Sequence, residues 1–279
     1  MAKYDLLPEQ LKYEGTAEES DFFIPGPMSD DDILLTHTEA YLSKLHTQTR
    51  SAKEIRNIRF PMMPALVSRG KHIANGTWMC AQYAMQHGVS LNIAGGTHHA
   101  YADRGEGFCI FNDIAIAANK MKNTYPTAKI LIIDLDVHQG NGTAKIFEDD
   151  TDVFTLSVHG AKNYPVRKEK SDLDINLPDG TGDAKYLEVL KNCIPITIQQ
   201  FTPDFIFYLA GVDVLASDKL GRLHLSKQGC KDRDTYIFSL AKLHQIPVAV
   251  TMGGGYSPRI SDILDAHANT FRAAKEVFF

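Results

Sequence analysis

The chain has 279 residues, of which 44% are apolar and 23% are charged, so it can bury a large core without disulfides or metals to hold it together. Its formal net charge of −5 argues against the broad basic surface that a nucleic-acid binder needs. Four widely separated cysteines without a Cys-x-x-Cys pair argue against a disulfide framework or a structural zinc knuckle and favour a reducing, intracellular setting.

The N-terminal region is the least regular part of the sequence. It has no apolar leader, and no run in the chain approaches the roughly 18 apolar residues of a membrane span. We therefore expect a cytoplasmic protein with neither a membrane nor nucleic acid as its partner. The first 35 residues carry an acidic stretch around Pro25 and Pro27. They predict a solvated loop and then a helix with Asp30 to Asp32 in its first turn, as the helix dipole favours.

Further along, short apolar runs alternate with stretches of helical spacing. The predicted strands are 89–94, 130–136, 153–158, 204–210 and 246–252, and the predicted helices are 112–122, 184–200 and 227–244. This alternation predicts an α/β fold in three layers, with a mainly parallel central sheet and helices on both faces. No repeat or long linker interrupts the chain, so we expect residues 1–279 to form a single domain.

Polar residues follow all five predicted strands. They are Gly95 to His99, Asp134 to Gly142, His159, Gly211 to Asp213 and Gly253 to Tyr256. Because ligands bind at the carboxyl ends of strands in such sheets, these segments predict a site at one sheet edge.

The segment around Asp134, Asp136 and His138 is the most informative, because the period of a strand puts these three residues on one face. Asp136 and His138 offer two metal ligands, and Asp213 from the neighbouring strand end offers a third. Three ligands with open positions are typical of catalytic zinc, although Fe²⁺ or Co²⁺ would also suit this set. An aspartyl-phosphate phosphatase also begins with Asp-x-Asp, but His138 replaces the small Thr or Val expected there.

Two weaker signals lie at the same edge. The pair His98 and His99, by itself typical of an exposed loop, could share the proton transfers of hydrolysis beside a metal. The glycines before Tyr256 let the backbone approach a ligand closely and could present the phenol to an oxyanion.

Five ordered segments resemble the zinc-dependent histone deacetylase family of the arginase/deacetylase superfamily. They are Gly95 to Ala100, Gly107 to Asp113, Asp134 to Gly142, Gly211 to Asp213 and Gly253 to Tyr256. The resemblance runs from about residue 33 to about residue 271. Three segments look most like the class IV branch and its bacterial homologues, namely Asp103 to Phe108, His138 to Gly142 and Asp218 to Gly221.

The resemblance implies a deacetylase fold in which Asp136, His138 and Asp213 bind Zn²⁺. It further implies that His99 is the general base and then the acid that protonates the leaving amine. His98 would be its electrostatic partner, oriented by Asp134, and Tyr256 would donate a hydrogen bond to the tetrahedral oxyanion.

The same resemblance implies substrate and cation sites. The positions that match the acyl-lysine tunnel and its rim are Gly107, Phe108, Tyr164 and Leu220, with Tyr164 in place of the more usual Phe. The positions where the family often binds a monovalent cation such as K⁺ are Asp134, Ser157 and Val158.

Two departures from the family pattern stand out. Asn141 replaces the aspartate behind the second histidine, so it can accept the imidazole N–H but carries no charge to stabilise an imidazolium. The strand and His-Pro loop that usually open the family are not present after Met1, and we expect either that the sheet lacks that first strand or that the N-terminus is built differently.

The sequence thus predicts a metal-dependent amidohydrolase that removes an acyl group from Nε-acyl-lysine. The alternatives are a deacetylase of acetylpolyamines or other small acyl-amines, and a non-catalytic acyl-lysine binding module. We expect the other histidines to be solvated or capping residues, with His159 intermediate; they are His37, His46, His72, His87, His224, His244 and His267.

Overall fold

The computed structural model describes residues 2–61 and 63–279. Its strands are β1 (Val89–Asn92), β2 (Ile130–Asp134), β3 (Val153–Gly160), β4 (Leu173–Leu177), β5 (Phe205–Leu209) and β6 (Val248–Thr251). Its α-helices are α1 (Lys3–Tyr13), α2 (Asp30–Leu34), α3 (Glu39–His46), α4 (Ala52–Ile58), α5 (Pro64–His87), α6 (Asp113–Thr124), α7 (Asn141–Ile146), α8 (Asp183–Phe201), α9 (Lys227–Leu243) and α10 (Ile260–Phe278).

The six strands form one parallel sheet in the order β1-β6-β5-β2-β3-β4. Side chains of β2 alternate between two cores, because Leu131 and Ile133 pack with α1 and α8 to α10 whereas Ile130 and Ile132 pack with α3 to α6. The predicted α/β fold, with helices on both faces, is therefore confirmed. β4 was not predicted, because it is a short edge strand whose sequence includes Asp174 and is only half-buried.

The predicted bounds of the second strand are wrong by two residues. β2 ends at Asp134, so Asp136 and His138 lie in the turn that follows it and do not share a strand face. Hydrogen bonds in that turn, not the strand period, bring the side chains together.

The N-terminal region is also more regular than expected. Helix α1 forms the first part of this region, whereas the acidic stretch around Pro25 and Pro27 has no α-helix or strand, as predicted. Leu7 and Leu11 of α1 are buried against the core on the side of α10. The two leucines are four residues apart, which places them on one helix face. The predicted Asp-rich helix is present as α2, with Ser29 as its N-cap.

β1 is an edge strand. Of the strands that the structure describes, only β6 pairs with it. The side of β1 that faces away from β6 lines a cavity of about 1120 Å³, whose apolar lining includes Phe22, Phe23 and Phe271. In the described ranges no helix is both long and apolar enough to cross a membrane.

Candidate active site

Three of the predicted ligands meet beyond the carboxyl ends of β2 and β5. Nδ1 of His138 lies 3.1 Å from Oδ1 of Asp136 and 3.1 Å from Oδ2 of Asp213. All three residues are buried, and one ligand atom from each lies within 4.8 Å of the others. We call Asp136, His138 and Asp213 the Asp-His-Asp cluster.

Backbone N–H groups orient the two carboxylates of this cluster. The N–H of Val137 donates to Oδ1 of Asp213 at 2.9 Å, and the N–H of His138 donates to Oδ1 of Asp136 at 3.0 Å. From the far side, the N–H of Gly254 donates to Oδ2 of Asp136 at 2.9 Å. A Cβ at Gly254 would collide with Asp213, so only glycine allows this approach.

The charges of the cluster fit a divalent cation. Burial opposes the charge of His138, yet hydrogen bonds to Asp136 and Asp213 raise its pKa to about 10. Burial and the charge of Asp136 raise the pKa of Asp213 to about 7. A divalent cation could take the place of the proton on His138 between the two carboxylates, and an Asp-His-Asp donor set suits Zn²⁺ or Fe²⁺.

The tandem histidines stand beside the cluster, with their ring centroids 4.1 Å apart. Nδ1 of His98 donates to Oδ2 of Asp134 at 2.7 Å, and Nδ1 of His99 donates to Oδ1 of Asn141 at 2.6 Å. Both histidines are buried. The structure therefore brings Asp134 to His98 and Asn141 to His99, as the resemblance implies. The alternative that the two histidines lie in an exposed loop is wrong.

The two imidazoles have opposite pKa shifts. Burial disfavours the charged form of His98, but the neighbouring Asp134 overcomes it and raises the pKa to about 9. Burial, followed by the charges of His98 and His138, holds the pKa of His99 well below its ordinary value. At neutral pH the pair is thus one imidazolium and one neutral imidazole, a pattern typical of acid–base sites.

Tyr256 follows the glycine turn after β6. Its backbone N–H donates to Oδ2 of Asp218 at 2.6 Å, which ties the turn to the loop that carries Leu220. Desolvation of the phenol, with the charges of Asp213 and Asp136, raises the pKa of Tyr256, so that its hydroxyl stays protonated and can donate.

Two of the four predicted substrate residues contact His99, and the other two are exposed. The Tyr164 ring stands perpendicular to His99 at a centroid distance of 4.9 Å, and Phe108 and Leu220 are exposed. Gly107 has a positive φ of 53°, and a Cβ there would meet the His99 ring. Tyr164 and Gly107 therefore lie against His99, whereas Phe108 and Leu220 lie at the protein surface.

The three candidate cation residues lie where β2 ends and on the neighbouring part of β3. Asp134 and Ser157 are partners in the register of β2 and β3, and Val158 is the next residue along β3. The Ser157 hydroxyl lies 2.9 Å from Nδ1 of His159, which is fully buried.

Sequence reasoning missed Lys3. Its ammonium group donates to the carbonyl of Gly253 at 2.9 Å and lies 3.4 Å from Nε2 of His267. Burial lowers the pKa of Lys3 to about 8, although the charges of Asp213 and Asp136 act in the opposite direction. Because α1 was expected to be a loop, nothing in the sequence pointed this lysine toward a turn 250 residues away.

Two histidines expected at the surface are buried instead. His37 accepts from the backbone N–H of Asn112 at 3.0 Å, and burial lowers its pKa to about 4. His267 faces Lys3 from α10, and burial together with the charge of Lys3 keeps its pKa well below the ordinary value. Both are neutral core residues, so the expectation that they are solvated or capping residues is wrong.

Comparison with known proteins agrees with this geometry. The chain matches the histone deacetylase domain over residues 1–271. It is 39% identical to an uncharacterised protein of Picosynechococcus sp., over 100% of this chain and 93% of that one. It is 31% identical to histone deacetylase 2 of Arabidopsis thaliana, over 91% of this chain and 68% of that one.

Two further comparisons extend the result. A probable deacetylase of Methanothermobacter thermautotrophicus is 31% identical, over 85% of this chain and 74% of the relative. The crystal structure of an HDAC homologue complexed with SAHA superimposes with a TM-score of 0.84 at 24% identity, covering 97% of this chain and 77% of that one. The structural match shows the same fold, and the domain match assigns the family: the chain belongs to the histone deacetylase family.

Proposed function

We propose that the chain is a single-domain, metal-dependent amidohydrolase that removes an acyl group from Nε-acyl-lysine. One observation carries the proposal: the Asp-His-Asp cluster, the His98–His99 pair and the glycine turn of Tyr256 converge at one end of the sheet. We further propose that it is class IV-like and acts in the cytoplasm.

The metal site is the Asp-His-Asp cluster. A divalent cation held there, for which we propose Zn²⁺, would act as a Lewis acid on water and on the amide carbonyl. Asp134, Ser157 and Val158 would hold a K⁺ ion beneath it.

His99 transfers the protons, and His98 assists it electrostatically. His99 keeps Nδ1–H on Asn141, so its free Nε2 can take a proton from the attacking water. His98, charged through Asp134, supplies positive potential as negative charge develops. His99 then returns its proton to the leaving amine, and the Tyr256 hydroxyl donates to the oxyanion.

A substrate panel tests the reaction. With lysine peptides that carry acyl groups from acetyl to myristoyl, we expect the purified protein to hydrolyse at least one member of the series and to lose this activity when a chelator removes the metal. Turnover of acetylated polyamines alone would keep the chemistry and reject the lysine substrate. Binding of acyl-lysine peptides by calorimetry without any turnover would instead identify a non-catalytic module.

The Asn141→Asp variant tests the role of His99. A carboxylate at this position would stabilise the imidazolium and raise the pKa of His99. Because the base must be neutral to act, the acid limb of the pH profile of kcat/KM should move to higher pH. An unchanged profile would contradict the assignment of His99 as the base.

Lys3 gives the basic side of the profile a distinct cause. Its ammonium holds the Gly253 carbonyl and loses its proton as the pH rises through about 8. We therefore expect kcat/KM to decline above pH 8, and we expect Lys3→Arg, which stays charged, to move that decline upward. Lys12→Arg on the exposed face of the same helix is the control, and an identical decline in all three proteins would reject a role for Lys3.

A further inference from the structure

Two side chains that differ from the family pattern, Asn141 and Tyr164, meet at a third, that of Glu106. The Tyr164 hydroxyl donates to Oε1 of Glu106, and the Nδ2 group of Asn141 donates to the same oxygen at 3.3 Å. Asn141 occupies the position where the family usually has an aspartate. A carboxylate, that of Glu106, is therefore still present, but one hydrogen bond further from His99.

The backbone fixes the direction of this side chain. Glu106 and Cys109 exchange backbone hydrogen bonds of 2.9 and 2.8 Å in a tight turn. On either side, a Cβ at Gly105 would meet the Cys109 carbonyl, and a Cβ at Gly107 would meet the His99 ring. The Glu106 side chain is also mostly buried, with 19% of its surface exposed, and Nε of Arg104 lies 3.9 Å from its Oε2.

The partners of Asn141 decide which way its amide faces. Its Nδ2 group has two oxygen acceptors, Glu106 and the hydroxyl of Tyr101 at 2.9 Å. That hydroxyl uses its own hydrogen to donate to Glu169 at 3.0 Å, so it can only accept from Asn141. Turning the amide over would place its carbonyl oxygen against a carboxylate and an occupied hydroxyl.

The amide orientation in turn decides the tautomer of His99. With Oδ1 toward the ring, Nδ1 must carry the hydrogen, and Nε2 is left as the free base. With the amide reversed, Nδ2 would donate to Nδ1, and the hydrogen would move to Nε2, where it blocks proton abstraction.

We propose that Glu106 is a positioning residue that fixes the amide of Asn141, and through it the Nδ1–H tautomer of His99, while holding Tyr164 perpendicular to the same ring. This role deepens the proposed hydrolysis and rests on it for its kinetic consequence only. The carboxylate that relatives place directly on the histidine acts here through a neutral amide.

The kinetic test uses a double-variant cycle. Glu106→Gln keeps the shape but can donate to a reversed amide, and we expect kcat to fall about tenfold with KM nearly constant. In the Asn141→Asp background both side-chain oxygens accept, so no amide is left to orient, and Glu106→Gln should no longer lower kcat. The matched control is Glu188→Gln, the same substitution at an exposed glutamate of α8 whose contact is Lys185.

A spectroscopic test is independent of turnover. With ¹⁵N-labelled histidine, His99 should show the Nδ1–H tautomer in the wild type and a substantial Nε2–H population in Glu106→Gln; a His99→Gln variant identifies the signal. An unchanged tautomer, or an equal loss of kcat in both backgrounds, overturns the proposal. If the wild type hydrolyses no acyl-lysine but its tautomer differs from that of Glu106→Gln as expected, the proposed function fails and the role of Glu106 stands.

Discussion

Replacing Asp136 with alanine is expected to lower kcat/KM on an acyl-lysine peptide by at least about 1000-fold, because it removes one of three ligands from a site that contributes several kcal/mol of transition-state stabilisation. The loss should coincide with loss of bound metal, measured by elemental analysis of the dialysed protein. Asp136 also accepts the N–H groups of His138 and Gly254, so the variant disturbs the turn as well as the ion.

Two controls separate these effects. Asp136→Asn keeps the shape of the side chain but weakens metal binding, so it should lose most of the activity while the unfolding temperature changes little. Asp150→Ala removes a carboxylate that pairs with Lys122 just before the start of β3. It lies at the amino ends of the strands, away from the candidate site, and the variant should behave as the wild type. Full activity in Asp136→Ala would eliminate the metal mechanism.

Replacing Tyr256 with phenylalanine is expected to lower kcat by about 100- to 1000-fold with little change in KM, as removal of one oxyanion donor does. The ring and its turn stay in place, because the backbone N–H still donates to Asp218. Steady-state kinetics on the same peptide measures the effect, and the exposed Tyr13→Phe is the matched control.

The oxyanion role of Tyr256 also has a clear contrary result. A rise in KM with kcat unchanged would mean that the hydroxyl binds the ground-state substrate and transition state equally. In that case Tyr256 would be a binding residue, and another donor would have to stabilise the oxyanion.

Five of the six strands, and the edge at which the candidate site residues meet, could be predicted from the sequence because they depend on local signals. Runs such as Ile130 to Ile133 are apolar throughout, which marks a strand buried on both faces, and the polar residues directly follow these runs. The fold rule for strand ends then brought Asp136 and Asp213 together although they are distant in sequence.

The remaining features depend on contacts that no local pattern contains. Lys3 reaches the site because Leu7 and Leu11 pack α1 against the core, and His267 is buried by the same packing. Glu106 contacts Asn141, 35 residues away, only because a turn between two glycines directs its side chain there. Tertiary packing, not spacing, decides these positions.

One measurement tests the central claim most directly. Zn²⁺ is titrated into the metal-free protein while hydrolysis of an acyl-lysine peptide and the amount of bound metal are followed together. We predict no turnover without metal and full recovery at about one bound ion per chain, as expected for the single Asp-His-Asp cluster found in the described residues. Turnover by the metal-free protein at the rate of the metal-loaded protein would contradict the account.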